Sequence, residues 1–355
     1  FIQQSFVHIV QLCKGLGMCK AGMIILEGTK LKANASADRT KSKDQYQQWL
    51  ERIDADIKNI LDEAAQADDA EDEQYGDNRG DELPEGLHSK QKLKEKIKRT
   101  LEQINRDKDR INLTDNEAKY IKNKGSIDLN YNCQAAITED GIIVGAYTSN
   151  NCSDRPETIK SVNIAEQNTG EQYTEVLADS GFASFDNFEE LERRYKIIYI
   201  PDQQMNTEAE KELNPYHRNH FVYDEKKDCF ICPENKELPF HNNNFHKKTK
   251  QQSKVYICKD CTMCEKHILC TKGKYRQIHV EKRESLRYQI RERLNSAEGK
   301  LKYLKRLRIE SVFGNIKHNL NYLHLYLKGI KKTTAQWQLI CIGHNLRKIH
   351  QFKIA

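Results

Sequence analysis

The 355-residue chain is too long for one small domain, and at about 100–200 residues per domain it should form two or three compact units. Charged residues make up 31% of the chain, but 58 Lys and Arg nearly balance 52 Asp and Glu, so the formal charge is only +6. Local charged patches must therefore matter more than the total. The sequence has no uninterrupted apolar run near the ~18 residues of a membrane span. It predicts a soluble, cytoplasmic protein without a membrane partner.

Residues 1–20 do not begin with Met, and they contain Lys14 and Lys20 without the small-residue cleavage site of a signal peptide. We expect this stretch to be the remnant of a missing N-terminal domain. Residues 21–35 then have the pattern of the first core strand, because an apolar run leads directly into Glu27. A carboxylate is thus expected where a buried strand ends.

Residues 36–125 have the pattern of a charged helical hairpin inserted after that strand. Apolar residues recur with a period of 3.6 along two stretches, which predicts two amphipathic helices. The first stripe consists of Tyr46, Trp49, Leu50, Ile53, Ile57, Ile60 and Leu61, and the second of Leu93, Ile97, Leu101 and Ile104. An acidic segment at 68–86 would form the tip of the hairpin. A solvated surface explains the charges of this segment better than a DNA contact does.

Residues 126–205 return to a β pattern and are expected to complete an α/β core. The predicted elements are, in order, a β-hairpin at Cys133–Thr138 and Ile142–Thr148, a helix at 158–165, a strand at 176–178, a helix at 188–195 and a strand at 197–200. This order fits a three-stranded antiparallel meander that is extended by parallel strands. The fold class is therefore predicted as a mixed sheet flanked by helices.

Acidic residues near the predicted strand ends are candidate site residues. Asp179 directly follows the strand at 176–178, so Glu27 and Asp179 would lie at the ends of two strands. Four other acids are explained by turn or helix-cap duty better than by metal binding: Asp128, Asp140, Asp154 and Asp202. Ser153 or Asp154 in particular is predicted to cap the helix that follows.

Six of the eleven cysteines lie within residues 206–282, a segment of low periodicity that we interpret as an insertion. Clustered thiols in a long chain favour metal binding in a reducing compartment over a disulfide framework. The clustered residues are Cys229, Cys232, Cys258, Cys261, Cys264 and Cys270. Paired thiolates predict a Cys₄ Zn²⁺ site. The simplest ligand set is Cys229, Cys232, Cys258 and Cys261, with Cys264 or Cys270 able to replace one of the latter pair.

Spacing alone leaves alternatives to this zinc site open. The cysteines could remain reduced and metal-free, or His241, His246 or His267 could compete as ligands, although solvated surface histidines explain these three better. An iron–sulfur cluster is a further alternative, because Cys-x2-Cys-x2-Cys also occurs in ferredoxins. The five-residue gap before Cys270 and the absence of a following proline depart from that pattern.

Residues 283–355 are expected to be basic core helices, and they contain the sharpest spacing pattern of the chain. Its members, at spacings of three, four and seven, are Tyr303, Arg306, Glu310 and Lys317. On one α-helix these side chains would share a face suited to phosphate. Spacing alone also allows Glu310 to be an i,i+4 salt-bridge partner. An apolar stripe at 335–349 would pack back on the core.

This pattern resembles the DDE transposases of bacterial insertion sequences, in the group with the signature Y-x2-R-x3-E-x6-K. Tyr303, Arg306, Glu310 and Lys317 match that signature in full. Glu27–Thr29 is similar to the first-carboxylate motif D-G-T, and Ala178–Phe182 is similar to the second, A-D-x-G-[YF]. His344–Leu346 also resembles the family, and the resemblance extends from about residue 20 to the end of the chain.

The resemblance implies an RNase H-like fold, as in retroviral integrases, with the helical and cysteine-rich segments as insertions. It also implies metal-dependent cleavage at transposon ends and strand transfer into target DNA. The catalytic carboxylates, which would bind Mg²⁺ or Mn²⁺, would be Glu27, Asp179 and Glu310. The DNA-binding residues would be Tyr303, Arg306 and Lys317. The implied partners are double-stranded DNA of the transposon ends and target, and a second copy of the chain on paired ends.

The first carboxylate departs from the family pattern, because Glu27 stands where the family has Asp. The extra methylene moves the carboxylate by roughly 1 Å, and a displacement of that size can lower a rate by about 10²-fold. A catalytically inactive, DNA-binding transposase remnant is therefore the alternative function. A redox protein built around an iron–sulfur centre is a third possibility from a different class.

Overall fold

A computed structural model describes residues 1–75, 87–104, 109–123, 125–203, 205, 214–246 and 251–354. Part of the predicted acidic tip, 76–86, and the start of the cysteine-rich segment, 206–213, lie outside the described residues. Within the described ranges, no helix combines the length and apolar character needed to cross a bilayer.

Strands and helices alternate along the first two thirds of the chain, and helices dominate the last third. The strands are β1 (Met23–Lys32), β2 (Thr40–Lys41), β3 (Ile111–Asn112), β4 (Lys119–Asn123), β5 (Ser126–Thr138), β6 (Ile143–Ser149), β7 (Glu175–Ala178), β8 (Ile197–Tyr199), β9 (Val222–Asp224), β10 (Cys229–Ile231), β11 (Glu237–His246), β12 (Gln251–Cys258) and β13 (Arg276–Glu281). The α-helices are α1 (Ile2–Gly15), α2 (Lys43–Tyr75), α3 (Leu87–Leu101), α4 (Thr158–Thr169), α5 (Phe185–Arg193), α6 (His267–Cys270), α7 (Glu284–Asn295), α8 (Ala297–Leu304), α9 (Leu307–Gly314) and α10 (Ile330–Ile354).

A six-stranded mixed sheet lies at the centre of the fold. β1 pairs antiparallel with β5 on one side and parallel with β7 on the other, and β8 pairs parallel with β7. Both β4 and β6 pair antiparallel with β5. The apolar run of β1 follows from its central position, because a strand covered on both faces buries consecutive side chains. The predicted mixed sheet, with a meander extended by parallel strands, is confirmed.

Helices cover the sheet and complete its core. α10 and α4 pack on β6, and α1 packs against both of these helices. Residues 1–20 thus contribute α1, whose Phe6, Val10 and Cys13 are fully buried in the main core. Trp337 of α10 is also fully buried, and its indole N–H donates to the backbone carbonyl of Gln134 at 2.9 Å. The predicted return of the C-terminal stripe to the core is confirmed.

The two long helices predicted after β1 form a pair with a small core of their own. Tyr46 and Ile53 of α2 pack with Ile97 of α3. Lys90 of α3 forms an ion pair with Asp56 of α2 at 2.5 Å. Exposed pairs of this kind contribute little to stability, so the buried stripe holds the helices together. The boundaries of the segment as a domain remain a prediction.

The cysteine-rich segment contains a second sheet, which its low periodicity did not reveal. Five antiparallel strands follow the order β13-β12-β11-β10-β9. β11 has only one buried residue, Leu238, so it lacks the alternation by which a strand is recognised from sequence.

The spacing predicts that Tyr303, Arg306, Glu310 and Lys317 share one regular helix, and this prediction is wrong. Tyr303 belongs to α8, Arg306 precedes α9, Glu310 lies in α9, and Lys317 lies in a π-helical turn at 315–319. Around residue 305 the backbone N–H groups bond three residues back, which tightens the chain between the two helices.

Candidate active site

Parallel pairing of β1 with β7 brings two of the predicted carboxylates together. Leu26 of β1 pairs with Ala178 of β7. The residues that follow, Glu27 and Asp179, therefore lie next to each other where β7 ends. Neighbouring residues in register on adjacent strands share a face of the sheet. The sequence motifs alone could not show this, because the two residues are far apart along the chain.

Arg306 connects the third predicted carboxylate to the first. Its Nη1 donates to Glu27 Oε2 at 3.0 Å, and its Nη2 donates to Glu310 Oε1 at 2.8 Å. The guanidinium lies 5.7 Å from the centre of the Tyr303 ring. The Glu27 side chain is 17% exposed and that of Glu310 is 53% exposed. The structure thus gathers the predicted acids in one region, with an arginine between two of them.

Only Asp179 lies at a strand end as predicted, because β1 continues to Lys32 and Glu27 lies in its middle. Burial disfavours two negative charges on this pair. It raises the pKa of Glu27 to about 7, and the nearby charge of Asp179 adds to this shift while Arg306 opposes it. Burial also raises the pKa of Asp179, against the Gly181 N–H that donates to its Oδ1 at 2.8 Å. Arg306 alone does not offset the cost of ionising both carboxylates. A second cation beside them would favour their charged forms and would itself be bound by them.

Asp154 belongs to this site. It occupies the predicted N-cap position, before the short 3-10 helix Arg155–Glu157, but its side chain makes no cap bond there and turns to other partners. Lys30 Nζ lies 3.0 Å from both carboxylate oxygens of Asp154. The side-chain amides of Asn132 and Gln134 donate to Asp154 Oδ1 at 2.6 and 2.7 Å. Its charge contributes to the raised pKa of both Glu27 and Asp179.

A polar pattern on β5 could have revealed this network. Asn132 and Gln134 are two residues apart in a strand that is otherwise largely apolar and buried, so both point to one face. Buried side-chain amides need hydrogen-bond partners, and here the Asp154 carboxylate accepts from both of them. Of the other three acids, Asp128 accepts a bond from the nearby Ser126 hydroxyl, whereas Asp140 and Asp202 pair with residues far along the chain, Lys20 and Arg291.

Gly28 is required because side chains of the network fill the space above it. A Cβ at this position would lie 2.4 Å from Asp154 Oδ1 and 2.6 Å from Gln134 Nε2. We expect Gly28→Ala to destabilise the protein by about 1–3 kcal/mol, as overpacking does. Gly343→Ala is the matched control, since a Cβ there meets nothing within 4 Å and should stabilise α10 by about 0.5–1 kcal/mol. Thermal unfolding of both variants checks this, and equal effects would contradict it.

Of the predicted DNA-binding residues, Arg306 bonds Glu27 and Glu310, and Tyr303 lies beside its guanidinium. Tyr303 is partly buried against the main core. Lys317 is half-buried, and its charge lowers the pKa of the buried Cys133 thiol, which burial raises.

The donor types of the site suit Mg²⁺, which prefers carboxylate oxygens. Among the described residues, however, no three His, Cys, Asp or Glu side chains are arranged so that they could hold an ion. At the carboxylates, the guanidinium of Arg306 occupies the space between Glu27 and Glu310, where an ion would have to lie. Their oxygens are suitable ligands for a divalent ion once Arg306 moves away.

Five of the six clustered cysteines line one small cavity of about 20 Å³ beside β12. They are Cys232, Cys258, Cys261, Cys264 and Cys270, and His267 and Arg276 line it as well. Cys229 does not line the cavity, which differs from the simplest predicted ligand set. The clustered cysteines form no disulfides. His241 and His246 are exposed, as predicted.

Comparison with known families was informative for the C-terminal third of the chain. Residues 231–350 match the family model described as Transposase DDE domain. This segment is similar to DDE transposase domains. It contains Glu310 and the cysteine cavity, whereas Glu27 and Asp179 precede it. The match supports a DDE transposase, and such a domain implies DNA as a partner. No match was found among curated proteins or among solved structures.

Proposed function

We propose that this chain is a DDE transposase that cleaves phosphodiester bonds at transposon ends and transfers the strand into target DNA. Glu27, Asp179 and Glu310 are its catalytic carboxylates. The observation that carries the proposal is the register of β1 and β7, which sets Glu27 beside Asp179, while Arg306 ties Glu310 to Glu27. Sequence motifs in the order of the family thus coincide with one site.

The proposed core is RNase H-like. The sheet supports this, since antiparallel β6, β5 and β1 continue into parallel β7 and β8. The helical pair and the cysteine-rich sheet would be insertions into that core. Both have hydrophobic clusters of their own, separate from the main core, which is consistent with insertion.

The carboxylates would hold Mg²⁺ or Mn²⁺, which supplies charge stabilisation for the attacking and leaving oxygens of an in-line displacement. Burial raises the pKa of Glu27 and of Asp179, and a bound cation would favour their ionised forms. Asp154 would act as a support, since Lys30 and two amides already satisfy it.

Arg306 would exchange its partners when DNA binds. It now neutralises Glu27 and Glu310, and a planar guanidinium is equally suited to a bidentate phosphate contact. Tyr303 and Lys317 would hold the same DNA backbone. Two copies of the chain would act on paired ends in the cytoplasm.

An inactive DNA-binding remnant is the second candidate, favoured by the ion pair that Glu27 forms with Arg306. The longer glutamate reaches the guanidinium, and an arginine that stays there excludes a metal ion. The two candidates share DNA binding and differ in chemistry.

Nicking of supercoiled plasmid separates them. The wild-type chain and Glu27→Asp are compared with Mg²⁺ or Mn²⁺, and DNA affinity is measured at several salt concentrations. Nicking by either chain supports the transposase, and faster nicking by Glu27→Asp would assign the loss to the extra methylene. Salt-sensitive binding without nicking by either chain would establish the remnant.

A further inference from the structure

We propose that the cysteine-rich sheet is held together by one structural Zn²⁺ bound to Cys232, Cys261, Cys264 and Cys270. This set differs from the pairing that spacing favours, because it omits Cys229 and Cys258. It rests on the cavity described above and is independent of the transposase proposal.

The cavity brings cysteines from three parts of the segment to one point. Cys232 follows β10, Cys261 and Cys264 lie in the turn after β12, and Cys270 ends α6. Cys232 is distant in sequence from the other three, so the fold and not local spacing brings it to them. A cavity of about 20 Å³ has room for a single small ion or water.

Two of the sulfurs accept hydrogen bonds from backbone N–H groups. The Lys236 backbone N–H donates to Cys232 Sγ at 3.2 Å, within a tight turn in which the Cys232 N–H bonds the Lys236 carbonyl. The Arg276 backbone N–H donates to Cys261 Sγ at 3.1 Å. Hydrogen bonds to the ligand atoms fix ligand orientation in metal sites.

Cys264 and Cys270 complete the set through their position. Both line the cavity together with Cys232 and Cys261, and the Arg276 side chain donates to the Cys270 backbone carbonyl at 3.2 Å. Among the described residues the thiols do not yet form an ion site. Zinc binding would deprotonate them and draw them together.

The proposed set leaves out Cys258 and Cys229. Cys258 also lines the cavity, but it is the last residue of β12 and is fixed there by pairing with Arg276 of β13, whereas the three retained cysteines of this region follow the strand. Cys229 pairs with Asp224 and Pro239 inside the sheet and lies off the cavity.

The sheet needs such a cross-link because its own core is small. Six side chains form the buried cluster of this segment, and two of them are cysteines. Small units of this kind usually require a metal or disulfides for stability. The cysteines here form no disulfides, and a bound metal would supply the cross-link instead.

Metal content of the full-length chain, purified under reducing conditions, tests the proposal. We expect about one zinc per chain in the wild type and in Cys229→Ser and Cys258→Ser, and at least about tenfold less in Cys232→Ser, Cys261→Ser, Cys264→Ser and Cys270→Ser. Loss of zinc from Cys229→Ser or Cys258→Ser, with retention in Cys270→Ser, would overturn the ligand set. A zinc-free wild type that also fails to bind Co²⁺ with thiolate charge-transfer absorption would overturn the site.

A second measurement uses the wild type alone, so misfolded variants cannot obscure the result. The native chain is alkylated with and without a zinc chelator, and the modified cysteines are identified by mass spectrometry. We expect chelation to expose Cys232, Cys261, Cys264 and Cys270 together. Protection of these four that is unaffected by the chelator would contradict a metal site.

Discussion

Replacing Asp179 by Asn should lower strand cleavage by at least about 10³-fold, the scale of losing a central catalytic group. The amide keeps the volume of the carboxylate, and its oxygen can still accept the Gly181 N–H. The negative charge beside Glu27 is lost, and with it the metal affinity of the pair. DNA binding should be unchanged or stronger, because one charge that repels phosphate is removed.

Plasmid nicking and DNA affinity at fixed salt, measured in whichever of the wild type and Glu27→Asp cleaves DNA, check this expectation. Asp140→Asn is the matched control, since Asp140 lies in the turn between β5 and β6 and pairs with Lys20. It should retain nicking. Cleavage by Asp179→Asn within tenfold of its parent, or a parallel loss of DNA affinity and thermal stability, would show that Asp179 has a structural role.

The stability of the metal-free protein should depend on pH through Glu27. Its pKa is raised from 4.5 in the unfolded chain to about 7 in the fold, mainly by burial. Below pH 4.5 the group is neutral in both states and costs nothing. As pH rises from 4.5 through 7, the folded state loses stability, because it must carry a charge that it disfavours. Glu27→Gln removes this loss and should be more stable than wild type at pH 8, by on the order of 3 kcal/mol.

Denaturant unfolding of both chains at pH 5 and pH 8 measures the effect, with Mg²⁺ added in a second series. We expect the advantage of Glu27→Gln to grow with pH and to shrink with Mg²⁺, which should stabilise only the wild type. Glu139→Gln is the control of opposite sign, because a hydrogen bond from Lys305 lowers the pKa of Glu139. An advantage for Glu27→Gln that is the same at both pH values would refute the shifted pKa.

Local pattern was sufficient for much of the main sheet. The apolar run of β1, the hairpin of β5 and β6, and the amphipathic α4 and α5 all follow from periodicity and turn residues near in sequence. The local pattern did not predict β11, because nearly all side chains on both faces of this strand are exposed. It also failed at residues 303–317, because a helix that changes its hydrogen bonding near residue 305 no longer keeps the regular spacing.

The sequence by itself determined the types of chemistry available: three acids in the order of a known family, a basic region around Arg306, and a group of clustered thiols. Only the tertiary structure decided which groups meet. β-sheet register set Glu27 beside Asp179, brought Lys30, Asn132 and Gln134 to Asp154, and separated Cys229 from the other thiols. Such contacts join residues far apart along the chain, and their formation depends on long-range pairing that local periodicity does not encode.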